Sequence, residues 1–257
     1  MWDPTTYLRY GDERSRPFGE LLSRVPPDAA GDVVDLGCGP GTLTAGLAAR
    51  WPDARITGLD SSPEMIASAR ALETGLEFEV GDVRDWHPAP TDGIVLANAV
   101  LQWVPGHDEL LRRWAGALRK GAVLAFQVPG NFDAPSHRTI RAVAATGPWR
   151  SRLDGVLRGT ESVLEPVEYA RLLVGAGCTV DAWETTYVHL LPAPDGVHPV
   201  LAWVEGTALR PVKAALDGDA WTGFTTELSA RLHREYPVHN GLVYFPFRRL
   251  FVVARVG

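Results

Sequence analysis

Residues 34–41 read Val-Asp-Leu-Gly-Cys-Gly-Pro-Gly, an apolar run that carries an acid and passes into three glycines at alternate positions. Gly37, Gly39 and Gly41 let the main chain turn sharply and leave it bare, so a ligand can press directly against backbone. The helix-like run that follows, Thr42 to Arg50, offers unpaired N–H groups at its start. Three more polar points close apolar runs further along. Asp60 ends Ile56-Thr57-Gly58-Leu59-Asp60, where a carboxylate can accept two ribose hydroxyl hydrogens and repel a phosphorylated ribose. Asp82 stands in Gly81-Asp82-Val83 and can accept from an adenine amine. The run Ala97-Asn98-Ala99-Val100-Leu101-Gln102-Trp103 is the fourth. Each acid alone reads equally well as a helix N-cap or loop residue, but four such features at one sheet edge argue together for a nucleoside-type ligand. The turn is G-x-G-x-G, with Thr42 where a dinucleotide fold has its third glycine, which disfavours a nicotinamide dehydrogenase.

The elements that must position these residues alternate. Strand signals lie at Val33–Leu36, Arg55–Leu59, Leu76–Val80, Gly93–Ala97 and Ala122–Val128. Helix signals lie at Asp12–Arg24, Thr42–Arg50, Ser62-Pro63 to Ala71 and His107–Leu118. Such alternation predicts βαβ units and a parallel sheet, whose ligands sit outside the carboxyl ends of the strands. Past residue 130 the pattern changes. A helical, irregular stretch to Leu164 precedes a helix over Pro166–Gly175 and a long alternating strand over Thr179–Leu191. Two amphipathic helices then fill Val197 to Tyr236, broken at Asp217-Gly218-Asp219, and a strand over Arg249–Arg255 closes the chain. The expectation is one domain over 1–257, with helical insertions at 131–165 and 192–241 folding over its top as a substrate lid.

With 257 residues and 46% apolar content a full core is available. A formal charge of −6 does not suit a partner held by phosphate contacts, so no nucleic acid is expected. Cys38 and Cys178 are too few for a disulfide framework and lack metal-ligand spacing, so no metal is expected. There is no signal peptide or membrane-length apolar run, and a cytoplasmic protein without a membrane partner is the expectation.

The glycine turn, with its acid two residues before the first glycine, resembles motif I of the class I S-adenosylmethionine-dependent methyltransferases. Further runs carry the resemblance to the trans-aconitate 2-methyltransferase family nearly end to end. These are Trp2-Asp3-Pro4-x-x-Tyr7-Leu8, Glu13-Arg14-Ser15-Arg16-Pro17, Ala54-Arg55-Ile56-Thr57-Gly58-x-Asp60-Ser61-Ser62-Pro63 and Asn98-Ala99-x-Leu101-Gln102-Trp103. Trp183-x-Thr185-Thr186-Tyr187-x-His189, Trp203-Val204, Leu209-Arg210-Pro211 and Arg249-Leu250-Phe251-x-Val253-Ala254-Arg255 complete the set. The region 131–165 matches least.

The resemblance implies an α/β, Rossmann-like class I methyltransferase fold, mostly parallel, with helical lid insertions. It implies methyl transfer from S-adenosylmethionine to one carboxylate of trans-aconitate. It implies cofactor contacts from Asp35, Gly37, Cys38, Gly39, Gly41, Asp60, Ser61, Met65, Asp82, Val83, Asn98, Ala99 and Gln102. Other small-molecule methyltransferases, a malonyl-carrier-protein methyltransferase and a catalytically silent S-adenosylmethionine-binding protein are the competing readings.

A carboxylate is already ionised at neutral pH, so it needs no catalytic base; it needs cations and donors that hold it in line. Arginine suits that task because its fork pairs with a carboxylate bidentately. The substrate candidates are Arg210, Arg249, Tyr187 and His189, with Arg14 and Arg16 behind them; Trp103, Tyr187 and His189 are expected to position the acceptor. Each also has an ordinary reading. Arg210 also reads as a surface helix charge, Arg249 as an edge-strand guard, and Tyr187 with His189 as a structural pair on one strand face. Arg14 and Arg16 suit a solvated face and Trp103 plain packing.

Overall fold

The computed structural model describes residues 11–157, 159, 163–193 and 196–257. The run Trp2–Leu8 therefore lies outside the described residues. Eight strands form one sheet: β1 (Asp32–Leu36), β2 (Ile56–Asp60), β3 (Glu77–Val80), β4 (Asp92–Asn98), β5 (Val123–Pro129), β6 (Cys178–Pro192), β7 (Val238–His239) and β8 (Leu242–Val256). Their order is β3-β2-β1-β4-β5-β8-β6, with β7 pairing β8. The first five are parallel, and β8 runs antiparallel to β5. The order reverses between β1 and β4, which makes their carboxyl ends the switch point where open α/β sheets take ligands.

The described helices are α1 (Gly11–Ser23), α2 (Thr42–Ala45), α3 (Pro63–Arg70), α4 (His107–Ala117), α5 (Pro135–Ala144), α6 (Arg150–Leu153), α7 (Pro166–Gly175), α8 (Pro199–Glu205), α9 (Arg210–Ala215) and α10 (Gly218–Glu235). α3 begins as its sequence dictates. Ser62 caps it by accepting the Met65 N–H at 3.3 Å, and Pro63 occupies the first turn, where a missing N–H costs nothing. The predicted helix over Thr42–Arg50 is instead one α-turn followed by a 3₁₀ turn over Gly46–Ala49; Gly46 weakens the α-ladder at that point.

The chain divides into two compact units. The first holds the chain up to Pro129, Val163–Thr185 and Arg249–Gly257. Its strands β4 and β5 are buried along nearly their whole length, as a parallel sheet covered on both faces requires. Leu124, Phe126 and Val128 pack with Trp114, Tyr169, Leu173, Leu250 and Val252 into the main core cluster. Arg24 pairs with Asp181 at 2.6 Å, and Glu20 accepts from Trp183 Nε1 at 2.9 Å and from the Thr185 hydroxyl at 2.5 Å. These bonds fasten α1 to the first half of β6.

The second unit holds Gly130–Ser162 and Thr186–Arg248. The stretch read as two helices contains three, because Gly206 ends α8 and Pro211 sits in the first turn of a new one. The last strand is fifteen residues long and begins at Leu242, well before the predicted Arg249. Val238 and His239 pair back onto Val243 and Leu242 across Asn240-Gly241, where both residues have positive φ, 52° and 75°. That is the two-residue hairpin for which Asn-Gly is the favoured sequence.

Candidate active site at the carboxyl edge of the sheet

Within the first unit, the residues singled out from sequence converge after β1, β2 and β4. Gly37, Gly39 and Gly41 have φ of 74°, 57° and 74°, a backbone region that favours glycine. Their surroundings differ. A Cβ at Gly37 would meet Val100, and one at Gly41 would meet Ala69 and Phe78, whereas one at Gly39 would meet no atom within 4 Å. Gly39 therefore borders open space, and its bare backbone faces it.

Asp60 ties this turn to β2. One carboxylate oxygen accepts the Gly39 N–H at 2.9 Å and the other accepts the Ser62 N–H at 2.9 Å. Each oxygen keeps acceptor capacity for a further donor. Asp35 is buried on β1; its Oδ2 accepts the Thr44 hydroxyl at 2.6 Å, and its Oδ1 has no hydrogen-bond partner. Burial, with the Asp60 charge adding to it, pushes its carboxyl up to about 6 against the Thr44 bond. A buried, half-satisfied carboxylate asks for a cationic or donor group beside it. Cys38 is buried and its thiol is pushed up by burial and by the charges of Asp35 and Asp60, so it stays protonated and lines the turn without reactivity.

Asp82 follows β3 and forms an ion pair with Arg84 at 2.5 Å while accepting the Arg84 N–H at 2.8 Å. The Arg84 side chain holds this carboxyl below its usual range, a partner two residues away that its sequence setting did not suggest. Ser61 is exposed, and Met65 and Val83 are buried.

After β4 the chain bends at Ala99, whose φ of 56° is unusual for alanine. Two bonds hold the bend: the Ala99 N–H donates to the Gln127 carbonyl at 2.9 Å, and Gln102 Nε2 donates to the Ala99 carbonyl at 2.6 Å. The half-buried Trp103 ends the short 3₁₀ turn that follows. A further latch stands behind it. His107 Nδ1–H donates to the Val104 carbonyl at 3.1 Å, Nε2 accepts the Tyr169 hydroxyl at 2.7 Å, and that hydroxyl accepts the Leu164 N–H at 3.3 Å. Burial depresses the His107 imidazole, so it is neutral.

Arg249 is 6% exposed, and its Nη1 donates to Gln127 Oε1 at 3.3 Å. Gln127 was not among the residues singled out, although a lone amide inside Val-Leu-Ala-Phe-Gln-Val-Pro is a visible signal. Arg14 and Arg16 both lie on α1; Arg16 is exposed, and the Arg14 side chain is outside the described atoms. Tyr187, His189 and Arg210 belong to the second unit. Tyr187 is buried, and the His189 ring lies 4.7 Å from Trp203 in a stacked arrangement and 5.7 Å from Phe247. They do share one face of β6, and that face is aromatic. Arg210 opens α9 and is half-buried.

The first unit's residues fit a nucleoside cofactor with a cationic amino-acid end. The open space at Gly39, the orphaned Asp35 oxygen and the remaining acceptor capacity of Asp60 are the observations that say so. Residues 33–121 match the family described as "Methyltransferase domain". The putative methyltransferase of Bacillus halodurans C-125 shares the fold at a TM-score of 0.56 and 15% identity, over 93% of this chain and 98% of that one. The phosphoethanolamine N-methyltransferase 2 of Haemonchus contortus, solved with S-adenosyl-L-methionine, does so at 0.52 and 15%, over 94% of this chain and 53% of that one. Fold, matched family and the full-length relatives below place the chain among the class I S-adenosylmethionine-dependent methyltransferases.

The chain is 54% identical over 259 residues to the trans-aconitate 2-methyltransferase of Mycobacterium sp. (strain KMS), covering 100% of each. It is 55% identical over 258 residues to that of Rhodococcus jostii (strain RHA1), again covering 100% of each. The chain belongs to the trans-aconitate 2-methyltransferase family.

Proposed function

We propose that the chain methylates one carboxylate of trans-aconitate, yielding a monomethyl ester. The observation that carries this reading is Arg249, a buried guanidinium at the carboxyl end of the sheet, oriented by the neutral amide of Gln127. Gln127 fixes one donor of that fork, and a guanidinium pairs with a carboxylate bidentately, which suits an anionic acceptor. The names of the full-length relatives support trans-aconitate as that acceptor.

When bound, S-adenosylmethionine supplies a methyl group on a sulfonium. The chain's own task is to hold and orient. Gly37, Cys38, Gly39 and Gly41 offer backbone to the amino-acid end, Asp35 faces its positive charge, and Asp60 accepts from the ribose. Asp82, Val83, Ser61 and Met65 border the base, and Asn98, Ala99 and Gln102 lie at the methyl. In the first unit Arg249 takes a substrate carboxylate, with Arg14 and Arg16 as further cations and Trp103 as a positioning ring; in the second, Arg210, Tyr187 and His189 are the candidate substrate residues. No residue needs to remove a proton, because a carboxylate with a reference pKa near about 4 is ionised at pH 7.

No described helix is long and apolar enough to cross a membrane. With the net charge of −6, this supports a small-molecule acceptor and a cytoplasmic setting. Arg249→Met and Arg210→Met, made separately, test the reading. Each should raise KM for trans-aconitate while cofactor affinity holds, since losing one partner of a desolvated charge pair costs about 2–5 kcal/mol. Parent-like kinetics in both would contradict it.

A further inference from the structure

Three polar side chains line up across the carboxyl ends of β4, β5 and the first-unit end of β8. Gln127, in the middle, is 1% exposed. It stands in register with Asn98 on β4, and its Nε2 donates to Asn98 Oδ1 at 2.6 Å. On its other side, Oε1 accepts from Arg249 Nη1.

The polarity of this line follows from its last member. A guanidinium has only donors, so the group facing it must be the Gln127 oxygen. The Gln127 nitrogen then faces Asn98, and the group it meets must be the Asn98 oxygen. Asn98 is left with its Nδ2 turned away from β5, as a donor. The Gln127 main chain reinforces the arrangement, since its carbonyl holds the N–H of Ala99 in the left-handed bend.

We propose that Gln127 is a positioning residue that relays the donor-only character of Arg249 to Asn98, so that Asn98 presents a hydrogen-bond donor to an anionic methyl acceptor. The inference rests on the reading that Arg249 binds a substrate carboxylate. A site with this polarity selects carboxylates over amines and other donors. It also gives Asn98 a share in acceptor recognition beyond its place at the cofactor.

Gln127→Glu tests the relay because it keeps the side chain's size and its bond to Arg249. The new carboxylate has only acceptors, so Asn98 must turn its amide round and present oxygen outward, and a negative charge enters beside Arg249. KM for trans-aconitate should rise at least about tenfold, the scale of one hydrogen bond to a charged group. Affinity for S-adenosylmethionine by calorimetry should fall far less than KM rises, and the melting temperature should stay close to the parent. Gln127→Met should also raise KM in the parent, yet add little in an Arg249→Met background, where the fixed donor is already gone.

A KM within about twofold of the parent in Q127E and Q127M, with R249M clearly raised, would overturn the relay and leave Arg249 as a substrate residue. An unchanged KM in R249M would instead remove Arg249 from the substrate site and the relay with it. A loss of cofactor affinity and melting temperature in Q127E that parallels the rise in KM would mark Gln127 as a packing residue and overturn the proposal too.

Discussion

Asp60 accepts the backbone N–H of Gly39 at 2.9 Å, joining the acid at the end of β2 to the middle of the glycine turn after β1. One side chain thus shapes the glycine turn and keeps acceptor capacity for the ribose proposed to bind there. Asp60→Ala should therefore act twice. Cofactor affinity should fall sharply, since each lost charge-assisted bond is worth about 1.5–3 kcal/mol. The melting temperature should also fall, because the Gly39 and Ser62 N–H groups lose their acceptor. Calorimetry and thermal melts would check both; an unchanged affinity for S-adenosylmethionine removes Asp60 from the site.

The glycines of the turn should separate into two kinds. Gly39→Ala adds a methyl group to open space, so its folding cost is that of the left-handed backbone, about 1–2 kcal/mol. In the proposed binding mode the same methyl enters the cofactor's space and should lower affinity at least about fivefold, the low end of an overpacking penalty. Gly41→Ala meets Ala69 Cβ at 2.7 Å and the Phe78 ring at 2.9 Å, adding about 1–3 kcal/mol of overpacking to the fold itself. Equal melting temperatures for the two variants would contradict this division.

Asp35 predicts how binding responds to acid. Its carboxyl is raised to about 6 in the free protein, so it is ionised at neutral pH and becomes neutral as the pH falls through that value. Cofactor affinity should be level above about pH 7 and weaken on acidification, as the charge facing a cationic ligand disappears. Asp35→Asn should bind weakly throughout and lose that pH dependence. Equal parent affinity at about pH 5 and pH 7.5 would remove Asp35 as the cation's partner.

Stability should respond to pH through two buried histidines, one in each unit. His198 caps α8 by accepting the Val200 N–H at Nδ1, while Nε2–H donates to the Tyr236 carbonyl. Burial lowers the pKa of both His198 and His107. The unfolded chain then binds protons first as pH falls below about 6.5, so their stabilising contribution is full above that value and is lost below it. Asp35, with its raised pKa, acts in the opposite sense, gaining stability on acidification. His198→Asn keeps a good capping residue and should show a shallower fall of melting temperature between about pH 7 and pH 5. A slope identical to the parent's would mean that His198 does not titrate on unfolding.

The convergence of the glycine turn, Asp60 and the run after β4 at one sheet edge was legible because each follows an apolar run that reads as a strand, and strand ends in a parallel sheet coincide. The long final strand was legible only in its last half. Arg249–Arg255 alternates against an apolar sheet, whereas its first half depends on the Asn240-Gly241 hairpin, a signal present in the chain but passed over among aromatic residues. Gln127 and Asn98 meet through register across two strands, 29 residues apart, and periodicity alone does not say which polar side chains a sheet brings together. The same holds for His189, whose aromatic neighbours Trp203 and Phe247 come from other elements, and for Asp82, whose Arg84 partner reads from sequence as an ordinary surface charge.

Single-turnover methyl transfer to trans-aconitate, followed by product analysis, tests ester formation on an acid that needs no base. A monomethyl product is expected, hydrolysed by mild alkali back to the free acid, with a chemical step nearly constant between about pH 6.5 and pH 8.5, because the nucleophile is ionised throughout. An alkali-stable product, with a rate that rises through a pKa near about 7 and loses that rise in His189→Asn, would contradict it and mark a base-dependent transfer to a hydroxyl or amine.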